Sequence, residues 1–397
     1  RTILSPARWM LAATDLPKSD APGPQWAENL ADWRSRVHVP DTVYLGEDDR
    51  RLRLDLNEPA HQHLLRCALD RAGHATLREA PDTSALAWLD GRAHEIVVPL
   101  AATHQSAWPP IPRQATAAHV LGPDHGHLPG NSDWLFVKLY AHPDRHTAIL
   151  TTHLPRLLSR WDEPPQWWFL RYRDPENHLR LRIRLPRADA FGETAQRVGT
   201  WAGGLRRLGL IGQVQLDTYF PETGRYGHGA AMIAAESVFA ADSAAAVAQI
   251  ELSARTGTPA EAVTAAGLVD LAVSYAESPA AGMRWLIDHL PHDRGRAQRS
   301  LRDEALRLAD LDDDWATLRA QPGGEDVLAA WQVRRVALSA YRDHLTVQRD
   351  PLPVLRSLLH LHHVRTLGIS PDRERVTNRL ARAVALSQTT RRPRENP

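Results

Sequence analysis

WWFLRYRDPENHLRLRIR, residues 167–184, holds two runs of alternating apolar and polar or basic side chains on either side of an Asp-Pro step. Alternation at period two reads as β-strand, because successive side chains on a strand point to opposite faces. Asp-Pro opens a turn well, so the two runs read as a hairpin with DPEN (174–177) as its four-residue loop. In the second run Leu179, Leu181 and Ile183 share one face, and His178, Arg180, Arg182 and Arg184 share the other. A solvated strand usually mixes charge signs or uses hydroxyl residues. Three guanidinium groups at successive same-face positions repel one another unless an anion sits among them. The planar fork of Arg pairs a carboxylate through two bonds, so this face is a candidate anion cradle.

The elements around the hairpin set the fold class. DWLFVKLYA (133–141) reads as a strand, followed by a helix-like stretch to Arg160. A helix is expected over 188–209 and a strand over VQLDTYF (214–220). Beyond Pro221 the chain becomes Ala- and Leu-rich and helical to about residue 388. Thr258-Pro259-Ala260-Glu261 reads as N-cap, Pro at the first helical position and a capping-box Glu. Ser278-Pro279 and Ser370-Pro371 repeat the cap–Pro start. A mainly antiparallel sheet followed by a helical half is an α+β pattern. Ahead of it, residues 1–105 read as a smaller mixed α/β piece. It has a hairpin over VYLGEDDRRLRLDL (43–56), a helix over 59–73 ended by Gly73, and a strand at HEIVVPL (94–100). Residues 106–132 read as a linker: 108–133 alone holds five prolines and no period. The domain after it is expected over 133–388, with a disordered tail over 389–397.

Composition narrows the classes of function. With 397 residues, 43 % hydrophobic and 24 % charged, the chain fits a globular protein of two or three domains. A formal net charge of +1 gives no global field toward nucleic acid or membrane. No apolar run looks long enough for a spanning helix, and no signal peptide is evident. A single cysteine, Cys67, excludes an internal disulfide and a multi-Cys metal site, as expected in a reducing cytoplasm. Lysine occurs only at Lys18 and Lys138, so Arg carries nearly all the basic charge and only its placement is informative. The chain opens on Arg1, which suggests the C-terminal piece of a longer protein.

No Walker A loop, GxGxxG, HExxH or GxSxG is present. HLHH (360–363) is the densest His cluster, but on a helix His362 points away from His360 and His363, so no metal is expected. His360 could serve as a general base or acid near neutral pH. PETGRYGHG (221–229) joins a strand to a helix, with glycines flanking Arg225 and Tyr226. It could present Arg225 beside a helix N-terminus, where anions are favoured.

These stretches, with LSPARWML (4–11), WRSRVHVPDTVYL and RLRLDL (33–56), DWLFVKLY (133–140), the AAMIAAESVFAADS helix (230–243) and SLLHLHHVRTLG (357–368), resemble the class I lantibiotic dehydratases in family order. The resemblance implies an enzyme that dehydrates Ser and Thr of a ribosomal precursor peptide. Residues 1–105 would be the end of a glutamylation domain. Residues 133–388 would be the lyase domain that eliminates glutamate to leave dehydroalanine or dehydrobutyrine. The catalytic set it implies is Arg180, Arg182, Arg225 and His360, with Lys138, Arg171, Glu222 and Tyr226 as secondary substrate-binding candidates. Val364 stands where the family usually has Asn, and GRYGHG where it often has RYGG.

Elimination would need no metal or redox cofactor, and glutamyl-tRNA would be the co-substrate of the full-length enzyme. The implied partners are a precursor peptide with its leader, a lanthionine cyclase, a transporter and a second copy in a homodimer. The implied location is the cytoplasm, peripheral to the membrane when in a biosynthetic complex. A lanthipeptide pathway and a thiopeptide pathway both fit. Two alternatives stay open: a relative that builds a pyridine ring from two dehydroalanines by cycloaddition, and a non-catalytic peptide-binding scaffold.

Overall fold

A computed structural model describes residues 7–16, 22–46, 51–80, 121–122, 124–291 and 299–391. The chain divides into two compact units, 1–118 and 119–397. The first contains β1 (Arg8–Ala12), α1 (Gly23–Val37), β2 (Thr42–Leu45), β3 (Leu52–Asp55), α2 (Pro59–Ala72) and β4 (His74–Glu79). Its antiparallel sheet runs β1-β4-β2-β3, and the 43–56 stretch is a hairpin as expected, with Val43 opposite Leu54. Leu11, Val43, Leu54 and Leu77 pack against Trp26, Leu30, Leu65 and Leu69 of the two helices. Gly73 ends α2 at φ 75°, a conformation that costs glycine little. The strand expected at 94–100 lies outside the described residues.

The second unit starts with β5 (Trp134–Tyr140). Then come α3 (Pro143–Ala148), one π-helical turn and α4 (Leu154–Leu158), and after them the hairpin of β6 (Trp167–Arg173) and β7 (Asn177–Arg184). Next are α5 (Phe191–Arg207) and β8 (Gln213–Leu216). The sheet order is β6-β7-β5-β8, antiparallel throughout, with Lys138 opposite Arg180 and Phe136 opposite Arg182. Leu179, Leu181 and Ile183 face Val198, Trp201 and Leu205 of α5 and Ile149, Leu154 and Leu157 of the helical stretch after β5. The basic face of β7 is covered as well: Phe136, Trp168 and Tyr219 beside it belong to the core built with the C-terminal helices. With a helical layer on each face, β7 is an interior strand. β8 is also shorter than expected, and Tyr219 instead forms an isolated bridge with His127.

The helical half comprises α6 (Thr223–Tyr226), α7 (Ala230–Thr256), α8 (Ala260–Tyr275), α9 (Pro279–His289), α10 (Arg299–Leu308), α11 (Ala316–Arg319), α12 (Gly324–Thr346), α13 (Leu355–Leu367) and α14 (Pro371–Arg391). Three expectations change here. The N-cap of α8 is Pro259, and Thr258 makes no cap hydrogen bond, because its hydroxyl pairs with Thr256. Helix α14 continues to Arg391, past the expected start of a tail at 389. And α7 is long and apolar enough, by length and composition, to cross a membrane. Alanine supplies much of that apolarity, and Glu236, Asp242 and Gln249 of this helix are all buried in the protein. Ser278 does cap α9, accepting from the Ala281 N–H.

One buried carboxylate ties these helices to the sheet. Asp242 of α7 accepts from Arg334 of α12 at 2.6 Å, from His362 of α13 at 2.7 Å and from Arg365 at 2.7 Å. Arg334 also donates to Asp270 of α8 at 2.9 Å, and Arg365 donates to the Phe169 carbonyl on the outer edge of β6. The Phe169 N–H on the same edge donates to Ser243 of α7. Packing around the cluster is tight: a methyl group on Gly267 would come within 2.4 Å of both Gln249 and His362. Burial works against an ionised Asp242, but His362, Arg365 and Arg334 overcome it and hold the carboxyl well below its usual range.

A carboxyl with a lowered pKa contributes stability that is present above its unfolded pKa, about 3.9, and is lost as pH falls below it. Removing one partner of a buried ion pair typically costs about 3–5 kcal/mol. Asp242→Ala should therefore lower unfolding stability by about that amount, and much of the difference from wild type should vanish in acid. Urea titrations at neutral and acid pH check both statements; a loss independent of pH would contradict the second.

Candidate active site

The three arginines of β7 share a face yet meet three different environments. Arg184 is half-buried and pairs with Asp133 at 3.1 Å. Arg180 donates through Nε to His178 at 3.2 Å, and its guanidinium carbon lies 3.3 Å from the centroid of the Tyr172 ring. Arg182 is 6 % exposed and sits among Phe136, Trp168 and Tyr219, with ring centroids 4.1, 4.0 and 4.7 Å from its guanidinium carbon. Aromatic faces attract the cation but offer its N–H groups no acceptors in the plane. Nε and Nη1 of Arg182 make no hydrogen bond among the described residues. Burial pushes its pKa down to about 9, so it remains charged at neutral pH. A buried, charged and under-satisfied guanidinium is suited to receive an anion.

Lys138 stands next to Arg180 across the strand pair and is bound in an ion pair with Asp217. Burial opposes ionisation of Asp217, but the bond from Lys138 and the Thr218 N–H hold its carboxyl below the ordinary range. The loop after β8 carries Glu222 and Arg225, which pair at 3.2 Å and are both exposed. Arg349 of the segment after α12 fastens this loop by donating to the Gly224 and Arg225 carbonyls. Gly227, at φ 88°, lies so close to Ala231 and Leu345 that a side chain there would meet both at under 3.0 Å. The glycine is thus required by close approach as well as by φ.

His360 lies on the exposed face of α13 and bonds through Nδ1 to Glu374 of α14 at 2.7 Å. That bond raises its pKa, against burial and the nearby Arg225 charge. His363, on the same side of α13, meets Thr377 of α14, whereas His362 turns inward to Asp242. The charges of the four main candidates influence one another: Arg180 and Glu222 act on Arg182, Glu222 pairs with Arg225, and Arg225 acts on His360.

One secondary candidate, Arg171, falls outside this group; the other, Tyr226, is buried, but its hydroxyl feels the Glu222 charge and a bond with Arg225. Arg171 lies on the opposite face of the sheet, opposite Leu179, and donates to the Arg365 carbonyl at 2.9 Å. Burial and the Arg373 charge push its pKa down to about 10. Tyr226 is a core residue, edge-on to Phe239 at 4.9 Å, and burial pushes its hydroxyl up to about 12. Sequence reading did not single out Asp217, Tyr219, Glu236, Glu374 or the rings around Arg182. Two of those rings, Phe136 and Trp168, were readable, since strand pairing puts them beside Arg182 once the register is known. The other four depend on tertiary placement.

With this geometry in place, comparison with known proteins assigns the class. The family described as "Lantibiotic biosynthesis dehydratase C-term" matches residues 134–385, and "Lantibiotic dehydratase, N terminus" matches residues 1–65. The chain belongs to the lantibiotic dehydratase family. It is similar to the subtilin biosynthesis protein SpaB of Bacillus subtilis, with 25 % identity over 94 % of this chain and 37 % of that protein. It is also similar to the nisin biosynthesis protein NisB of Lactococcus lactis subsp. lactis, with 23 % identity over 61 % of this chain and 24 % of that one. The crystal structure of the tRNA-dependent lantibiotic dehydratase MibB from Microbispora sp. 107891 superposes with a TM-score of 0.56 at 26 % identity. That match covers 94 % of this chain and 39 % of MibB. The match thus spans about two fifths of the length of SpaB and MibB and about a quarter of NisB.

The bond to Glu374 is the main cause of the raised His360 pKa. Glu374→Gln should therefore move the His360 titration, followed by NMR, down toward the value of a free imidazole, about 6.5. An unchanged titration would show that this bond does not set the basicity of His360.

Proposed function

We propose that the second unit eliminates glutamate from glutamylated Ser and Thr of a precursor peptide, and that residues 1–105 are the end of the part that attaches the glutamate. The observation that carries this reading is Arg182, a buried guanidinium with an aromatic cage and two unbonded donors, electrostatically linked through Glu222 to Arg225 and His360. Elimination breaks the Cα–H bond and the Cβ–O ester bond, forms the Cα=Cβ double bond and releases glutamate with a full carboxylate. The α-proton of a peptide residue is weakly acidic, so the negative charge developing on the amide oxygen must be stabilised as the proton leaves. Preorganised cationic donors do this, and losing one donor of this kind typically costs on the order of a hundredfold in rate.

In this scheme Arg182 and Arg180 take the ester or carboxylate oxygens, and Arg225 approaches from the loop. Lys138 and Glu222 set the charge balance around the arginines, through their pairs with Asp217 and Arg225. His360 handles the proton. The scheme uses no metal or redox cofactor. Glutamyl-tRNA, a precursor peptide with its leader, a cyclase, a transporter, a homodimeric state and a cytoplasmic location belong to the same proposal and rest on family membership.

With a preformed glutamylated peptide, Arg182→Ala, Arg225→Ala and His360→Ala should each slow glutamate release by on the order of a hundredfold or more and let the glutamylated peptide accumulate. Arg184→Ala should leave the rate near wild type, because Asp133 already holds that side chain. Mass spectrometry of the peptide follows both; equal losses from Arg182→Ala and Arg184→Ala would sink the division made here. If His360 acts as the base it must be neutral, so the rate should rise with pH through its raised pKa. A rate that falls over that interval would assign it the role of acid.

A further inference from the structure

Glu236 is a buried carboxyl that the scheme above leaves unused. It lies on α7, is 4 % exposed and accepts the Tyr219 hydroxyl at 2.8 Å. The Tyr219 ring is hemmed in on several sides. It stacks on His127 at 5.4 Å and meets Trp134 and Trp168 edge-on at 5.7 and 5.6 Å. Its centroid lies 4.7 Å from the Arg182 guanidinium carbon, so this ring is one of the three walls around that cation. The backbone of Tyr219 is bridged to His127, and the hydroxyl–carboxyl bond is the polar contact at the other end of this wall.

The charges around Glu236 are Arg184, Asp133 and Arg182, with the Tyr219 hydroxyl bonded to it. Arg184 and Asp133 already pair with each other. Burial pushes the Glu236 carboxyl up to about 7, against the Tyr219 bond and the two arginines. It is therefore not a permanent counter-ion at neutral pH, and the two unbonded nitrogens of Arg182 stay available to another acceptor.

We propose that Glu236 is a positioning residue for Arg182: through Tyr219 it fixes one wall of the aromatic cage and leaves the guanidinium charge for an incoming carboxylate or ester oxygen. This inference rests on the elimination reading of the site. Misplaced by a fraction of an ångström, the cation would still draw the substrate in but would stabilise the developing charge less well. The loss should therefore fall on kcat more than on KM.

The test uses the full-length dehydratase and a glutamylated Ser peptide, with steady-state kcat and KM and a melting curve for every variant. Glu236→Ala and Tyr219→Phe should each lower kcat by on the order of tenfold to a hundredfold, with a smaller change in KM. Glu236→Gln should recover most of the loss seen in Glu236→Ala, since an amide oxygen still accepts the Tyr219 hydroxyl. A Glu236→Gln variant as slow as Glu236→Ala, or Tyr219→Phe at the wild-type rate, would overturn the proposal. If Glu236→Ala shows no melting transition, the comparison of Tyr219→Phe with Glu236→Gln decides alone. Arg182→Ala separates a failure of the elimination reading from a failure of the positioning role of Glu236. Elimination unaffected by Arg182→Ala would defeat the reading of the site; elimination lost there but intact in the Glu236 and Tyr219 variants would defeat this inference only.

Discussion

Asp242 holds the second unit together. A buried carboxylate tolerates ionisation only when donors surround it. Here they come from Arg334 of α12 and from His362 and Arg365 of α13. Arg334 extends the cluster to Asp270 on α8, and Arg365 extends it to the edge of β6. Four helices and the strand hairpin are thereby set in register about one charge. The consequence for the site is direct: with His362 and Arg365 locked inward, the helical period turns His360 outward toward α14, where Glu374 meets it. The edge of β6 is fixed by the same cluster, and β6 lies beside the strand that carries Arg180 and Arg182.

The site shows how a strand can carry three like charges on one face. Arg184 is neutralised by Asp133, Arg180 lies against Tyr172 and His178, and Arg182 is enclosed by aromatic rings. The cage compensates part of the cost of burying a guanidinium. It does so without satisfying the in-plane donors, which is what a carboxylate-binding residue requires. A salt bridge would have stabilised the cation equally well and left nothing for a ligand.

Much of this was legible in the chain. Period-two alternation gave the hairpin and its two faces, and the change to Ala- and Leu-rich segments after Pro221 gave the α+β order. The spacing of His360, His362 and His363 told which of them diverge. What the chain concealed is set by long-range packing. Arg171 looked like a neighbour of the site, but the pleat puts it on the other face of the sheet. Tyr226 sits beside Arg225 in sequence, yet its ring belongs to the core. Nothing local to β7 signals that the C-terminal helices will cover its basic face. Nothing in the alanine-rich stretch around Glu236 and Asp242 shows that both point inward; only the fold does.

Under the function proposed above, the second unit acts on an ester already formed. The most direct test supplies the protein with a chemically glutamylated Ser peptide and no tRNA. The expected products are a peptide containing dehydroalanine and one free glutamate for each residue converted. Glutamylated peptide recovered unchanged, or hydrolysed back to Ser, would contradict it.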